Sequence, residues 1–206
     1  MLRSGLASVT SACDTFPCMS QNLQNFVKGA SMLRNVANRV PAGAWDNSSC
    51  CDGWTAREVA GHISWGLETV SNLAEGGGMA DEMPEAERAG DDPAATITTA
   101  VDNAIAKLDQ PGALGRDAPP AFGGMKLDQF LAIMSVDSMT HAWDIADATG
   151  IDHGIDEASA EVAQQTLAPM APMLRGPGRF GDELDTESTS ALDRFIAFTG
   201  RTSVRS

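Results

Sequence analysis

Residues 136–150 read VDSMTHAWDIADATG and close a helical pattern that begins near Lys126. On a wheel of about 100° per residue, Phe130, Ile133, Met134, Ile145 and Ala148 fall within about 80° of Asp137. His141 and Asp144 fall in the same sector. The segment therefore sets an acid, a histidine and a second acid inside the stripe that faces a core. An ionised carboxylate buried without a partner is strongly unfavourable. Three compensations are open: an Arg or Lys from another element, a pair between Asp137 and His141 within the helix, or a metal ion.

The elements that would face this stripe are also helical. A first helix is expected over Gln21 to Val40, with Phe26, Leu33, Val36 and Val40 at helical spacing and Pro41 as its stop. A second is expected in WTAREVAGHISWGLETVSNLAE (54–75), with Asp52 as its N-cap and Gly76, Gly77 and Gly78 ending it. The acidic stretch MADEMPEAERAGDD (79–92) reads as a surface loop. Pro93 opens a third helix, AATITTAVDNAIAKLDQ (94–110), closed by Pro111 and Gly112. The Pro/Gly-rich link PGALGRDAPPAFGGM (111–125) leads to the fourth helix, Lys126 to Thr149, with Gly150 as its stop. Shorter helical segments follow near Glu157 to Leu167 and Ser190 to Phe198. With β-branched alternation scarce, the fold class is all-α: an up-and-down four-helix bundle with short extra C-terminal helices.

Composition narrows the partners. The chain has 206 residues, 43% of them apolar, which suits one soluble globular domain with a proper core. No run approaches the ~20 apolar residues needed to span a bilayer. The net charge of −14 repels phosphate backbones and anionic lipid, so neither nucleic acid nor membrane is an expected partner. Residues 1–18, MLRSGLASVTSACDTFPC, lack the apolar core of a signal peptide. Residues 1–19 are expected to be a disordered tail or an upstream start, with Met19 as a second initiation site, and 20–201 to form the bundle. The four cysteines, Cys13, Cys18, Cys50 and Cys51, form neither a disulfide framework nor a spaced zinc pattern. A reducing cytoplasm is the simplest setting, and Cys50 and Cys51 read as ordinary loop residues.

Residues i and i+4 stack on one helix face, so Asp137 and His141 can direct an oxygen and a nitrogen at one point. A firm metal site needs a third ligand from another helix. His62, in the middle of the second helix, is the candidate. It lies about 115° from the centre of the stripe formed by Ala60, Ile63, Leu67, Val70 and Ala74, on a flank rather than pointing squarely into the core. His153, in GIDHGID, reads as an exposed loop residue.

GWTAREVAGHI (53–63), followed about 75 residues later by DSMTHAWDIADATG (137–150), resembles the DinB-like superfamily of metal-binding four-helix bundles. Within it the chain is similar to the single-domain, actinobacterial branch of mycothiol-dependent maleylpyruvate isomerase-like proteins. Trp54, Arg57 and His62 match the motif of the second helix, and Asp137, His141, Trp143 and Asp144 that of the fourth. FGGM (122–125) and the closing ALDRFIAFTGR (191–201) also resemble that branch. The resemblance implies metal ligands at His62, Asp137 and His141, with Asp144 and Arg57 as further active-site residues. Asp144 would accept the N–H of a ligand histidine, or bond Arg57 or a backbone group and hold helices together. Trp54 and Trp143 are expected as packing or pocket-wall residues, with Trp143 facing away from the ligand stripe.

Two nitrogens and one oxygen suit zinc, with nickel or iron as alternatives, and three protein ligands leave a coordination position open. The activity implied is transfer or isomerisation through a low-molecular-weight thiol, mycothiol in actinobacteria, acting on a small electrophile. The alternatives are a hydrolase using metal-bound water with Asp144 as base, or a non-catalytic bundle or homodimer stabilised by metal. The isomerase carries an additional C-terminal domain for which this chain leaves no room, so a thiol transferase of unassigned substrate is expected rather than maleylpyruvate specificity.

Overall fold

Ser20 accepts the backbone N–H of Leu23 at 3.1 Å and so opens the first helix, α1 (Gln21–Ala37). The computed structural model describes residues 19–176 and 180–205; the expected tail over 1–18, with Cys13 and Cys18, lies outside the described residues. Leu23, Phe26, Ala30, Leu33 and Val36 form the buried stripe of α1. The helix ends three residues before the expected Val40. Arg39 and Val40 donate to the carbonyls of Val36 and Ala37, a tightened last turn, because the residue preceding Pro41 is steered out of helical geometry.

The second helix, α2 (Ala56–Ala74), is capped by Thr55, not by the expected Asp52. The Thr55 N–H donates to the Glu58 carboxylate at 2.6 Å, the reciprocal bond of a capping box. A short helix, α3 (Glu85–Ala89), replaces the expected surface loop. It lies so close to α2 that a Cβ at Gly61 would stand 1.9 Å from the Glu85 carbonyl oxygen. Asp92 caps α4 (Pro93–Leu108), with Pro93 in the first turn. The longest helix, α5 (Leu127–Thr149), ends at Gly150, whose φ of 79° is the left-handed conformation that suits glycine.

Helices α1, α2, α4 and α5 make the bundle, with α1 and α2 each packed against both α4 and α5. Pairs of residues give the directions. Ser20 and Asn22 bond Asp128, and Gly29 faces Ser135, so α1 and α5 run parallel. Arg34 pairs with Asp102 and Asn38 with Thr98, so α1 and α4 run antiparallel. Glu75 pairs with Lys107 near the ends of α2 and α4, which run parallel. The order is therefore up, down, down, up, and the segments 38–55 and 109–126 cross the ends of the bundle between diagonal helices. The connection that must be long is 75–92, which returns along α2 through α3 so that α4 can run parallel to it.

The C-terminal additions are α6 (Glu157–Leu167), α7 (Ala171–Leu174) and α8 (Ala191–Phe198). The turn at Ala168–Met170 and α7 continue past the expected end of α6. The Glu157 carboxylate accepts from the Ser190 hydroxyl at 2.8 Å and from the Ala191 N–H, tying the start of α8 to the start of α6. No helix among the described residues is long and apolar enough to cross a membrane.

Candidate metal centre

His62, Asp137 and His141 converge between α2 and α5: each offers a ligand atom within 4.8 Å of the other two. The antiparallel packing of these helices explains how a histidine on the flank of α2 gets there. Gly66, one turn beyond His62, lets α5 approach until a Cβ would lie 2.8 Å from the tip of Met134. The groove between the helices then opens onto the His62 flank. Trp54 lies against the His62 ring with centroids 5.0 Å apart, Trp65 at 6.3 Å, and the His141 ring meets it edge-on at 5.2 Å. Trp54 is thus a packing partner of the centre, whereas Trp143 is buried in the bundle core.

His141 faces two carboxylates. Its Nε2 is 3.5 Å from Asp137 Oδ1 and its Nδ1 is 2.9 Å from Asp144 Oδ2. Asp137 keeps 24% of its side chain exposed, while Asp144 is fully enclosed. The set is therefore open to solvent on the Asp137 side and closed on the Asp144 side. Burial disfavours the His141 cation, but Asp137 first and Asp144 with it outweigh burial and hold its pKa well above the usual histidine value. Burial likewise opposes ionisation of Asp137, yet His141 keeps its carboxyl below the usual range. His62 is pushed the other way, by burial and by the positive His141, and stays neutral with a lone pair to donate. A neutral imidazole, a carboxylate and a second imidazole whose far nitrogen is oriented by Asp144 form a donor set that fits zinc, nickel or ferrous iron.

Asp144 is the hub of a second cluster. It accepts from Arg201 Nε and Nη2, each at 3.3 Å, and from the thiols of Cys50 at 3.0 Å and Cys51 at 3.4 Å. Of the alternatives for this acid, the structure shows a bond to His141 and one to an arginine, but the arginine is Arg201. Arg57 bonds Asp46 at 2.9 Å and the Gly90 carbonyl at 2.6 Å on the outer side of α2. The structure does not bring it to the other candidate residues. Arg201 reaches inward because Gly200 turns the chain at φ 73° after α8, where a Cβ would stand 2.7 Å from the Asp182 carbonyl. Burial raises the carboxyl of Asp144, and Arg201 more than reverses this, holding it well below the usual range.

Cys50 and Cys51 are not the ordinary loop residues that their sequence context suggests. The hydrogen bond from Cys50, with help from His141 and against burial, draws the Cys51 thiol down to about 6. The same bond, burial and Asp144 push Cys50 far up. Adjacent thiols in a Ser/Asp/Gly turn were the available signal for this pair. Arg201 gave none beyond its place in ALDRFIAFTGR. His153, expected on the surface, lines a cavity of about 490 Å³ with Met32, Asn35 and Arg39, well away from the centre.

The family model described as the mycothiol maleylpyruvate isomerase N-terminal domain matches residues 27–146. That span holds His62, Asp137, His141 and Asp144 but not Arg201. The chain is 29% identical over 176 residues to the uncharacterized proteins MT0763 and Rv0738 of Mycobacterium tuberculosis, from strains CDC 1551 / Oshkosh and ATCC 25618 / H37Rv. Each alignment covers 84% of this chain and 91% of the relative. Among solved structures it is similar to the crystal structure of the mycothiol-dependent maleylpyruvate isomerase. That match has a TM-score of 0.54 at 19% identity and covers 73% of this chain and 68% of the other. A histidine-to-alanine mutant of that enzyme matches with the same TM-score and coverage at 17% identity. At such identities the likeness shows a shared fold.

Proposed function

Because the chain belongs to the mycothiol maleylpyruvate isomerase N-terminal domain family, we propose that it activates a low-molecular-weight thiol, mycothiol or a close analogue, and adds it to a small electrophile. The outcome is transfer of the thiol or isomerisation of the substrate. The observation that carries this reading is the convergence of His62, Asp137 and His141 from two helices, with its open side at Asp137. These three residues would hold a divalent cation, zinc in first place. A bound divalent cation lowers the pKa of a coordinated thiol and makes it a nucleophile at neutral pH. His141 is oriented for this by Asp144, which accepts from Nδ1 and leaves Nε2 facing the centre. Asp144 is itself fixed by Arg201.

Two alternatives lose support on specific observations. A hydrolase would need a general base within reach of the reacting water. Asp144 lies behind the Nδ1 side of His141, away from the open Asp137 side, and already accepts from Arg201, His141 and two thiols, so it does not face a water at the first centre. A purely structural site would be closed by a fourth protein ligand. Among the described residues, the group formed around His62 has three members.

The test is to purify the protein without a polyhistidine tag and measure bound metal by mass spectrometry, alongside His62→Ala and Asp137→Ala. Consumption of mycothiol is then followed with a panel of small electrophiles. Near-stoichiometric metal lost from both variants, together with thiol turnover that needs the metal, is the expected result. A chain that neither carries nor takes up metal overturns the reading.

A further inference from the structure

We propose a second cation site, for a thiophilic divalent ion, formed by Cys50, Cys51 and Asp144 on the far side of the His141 ring from the first. Nothing in the thiol-activation reading uses these two cysteines, and the site does not depend on that reading.

The turn that carries the thiols is pinned at both ends. Ser49 N–H and hydroxyl both donate to the Trp54 carbonyl, at 2.9 and 2.8 Å, and Trp54 N–H returns a bond to the Cys51 carbonyl at 2.9 Å. The Cys51 N–H donates to the Ser49 hydroxyl at 3.1 Å. The Asn47 side chain donates to the Ala148 carbonyl at 3.0 Å, docking the whole turn on the end of α5. Adjacent side chains in an extended chain point apart. Here the turn aims both thiols at one carboxylate, Cys50 at Oδ1 and Cys51 at Oδ2.

Each sulfur lies within hydrogen-bond distance of one oxygen of the same carboxylate, so the three side chains already converge as the ligands of one cation would. With bonds of ~2.3 Å to sulfur and ~2.1 Å to oxygen, a tetrahedral ion holds sulfur and oxygen about 3.6 Å apart. The observed separations of 3.0 and 3.4 Å need to open by about 0.6 and 0.2 Å. The three ligand atoms all lie within 4.8 Å of one another. Thiol protons leave as the divalent ion enters, which offsets part of its charge and lets Arg201 keep its pairing with Asp144. Two thiolates select soft ions over calcium or magnesium. Both cysteines remain partly exposed, so an ion can reach them.

The probe is Cd²⁺, because a thiolate-to-cadmium charge-transfer band in the ultraviolet reports sulfur ligation and is silent for the nitrogen–oxygen centre. The full-length chain carries Cys13→Ser and Cys18→Ser so that no other thiol contributes. The expected result is about one thiolate-bound Cd²⁺ per chain, with protons released on binding. In that background Cys50→Ser and Cys51→Ser each abolish the band, while His62→Ala leaves it intact. Serine keeps an O–H to donate to Asp144, and circular dichroism confirms that each variant is folded. A folded parent with no band overturns the proposal. So does a band that survives either single cysteine substitution, since a lone thiol then holds the ion. A band lost in His62→Ala also overturns it, because the ion then belongs to the first centre. Loss of the first centre's zinc with the cadmium band retained counts against the proposed function alone.

Discussion

Asp144 joins the candidate metal centre to the chain that follows α8. It is fully enclosed, it accepts from four residues, and its charge is balanced by an arginine 57 positions away. Burying an ion pair is close to neutral in free energy, but removing one partner leaves an uncompensated charge and costs about 3–5 kcal/mol. Asp144→Asn keeps the size and one acceptor oxygen but strands Arg201, so that loss is expected in urea denaturation of chelated protein. Arg201→Met is expected to cost somewhat less, because His141 stays beside Asp144 at 2.9 Å. The double variant should cost much less than the sum of the two, because it strands neither. Single variants that cost under about 1 kcal/mol, the range of exposed pairs, would show that water reaches the pair. This residue was legible in sequence as a buried acid that needs a partner. Its partner was not, because nothing local marks Arg201 as inward-facing. The turn at Gly200 and the docking of α8 decide that.

Among the elements, the long helices announce themselves through apolar stripes and caps, whereas α3 does not. Its five residues have no stripe of their own, and the helix is held by contact with Gly61 and by the pairing of Arg88 with Glu68. The same contact makes a prediction with opposing terms. In an isolated helix, Gly→Ala gains about 1 kcal/mol. At Gly61 the new methyl would stand 1.9 Å from the Glu85 carbonyl, which is backbone and cannot rotate away. Gly61→Ala is therefore expected to destabilise the protein by about 1–3 kcal/mol, as overpacked cores do. Hydrogen exchange should accelerate over residues 84–90. Gly43→Ala, with no atom within 4 Å of its added methyl, is the control and should be close to neutral. A Gly61→Ala protein more stable than the parent would mean that α3 does not pack on α2. The start of α2 is marked in the sequence at Thr55 and not at Asp52. Thr55 and Glu58 have the spacing of a capping box, and the structure uses it.

At the level of the whole molecule, the up-down-down-up order puts α2 and α5 antiparallel and face to face. A cation on His62, Asp137 and His141 would thus join residues from opposite halves of the chain. The sequence showed which three residues to suspect, because Asp137 and His141 share one face and His62 sits mid-helix. It did not show the Cys50–Cys51 turn, whose contacts with Asp144 span more than 90 positions. A ligand that binds the folded state alone stabilises it, by about 2.7 kcal/mol at a hundred times its dissociation constant. For a chain of this size that is a rise in Tm of roughly 5–10 °C. The rise should depend on pH. In the metal-free protein His141 is surrounded by Asp137 and Asp144 on its own helix, by His62 on α2, by Cys51 on the turn and by Arg201 beyond α8. The two carboxylates win, and its pKa is raised. The protonated pair therefore stabilises the metal-free fold fully below the unfolded value near 6.5, and that contribution is lost as pH rises through the folded value. The cation needs Nε2 without its proton, so its own contribution grows over the same interval. The difference in Tm between zinc-loaded and chelated protein should therefore widen steadily from pH 6 to pH 8 in calorimetry. In His141→Asn it should be small and flat. A difference that narrows with rising pH would mean that the cation does not compete with the proton on His141, and the assignment of that residue as a ligand would fail.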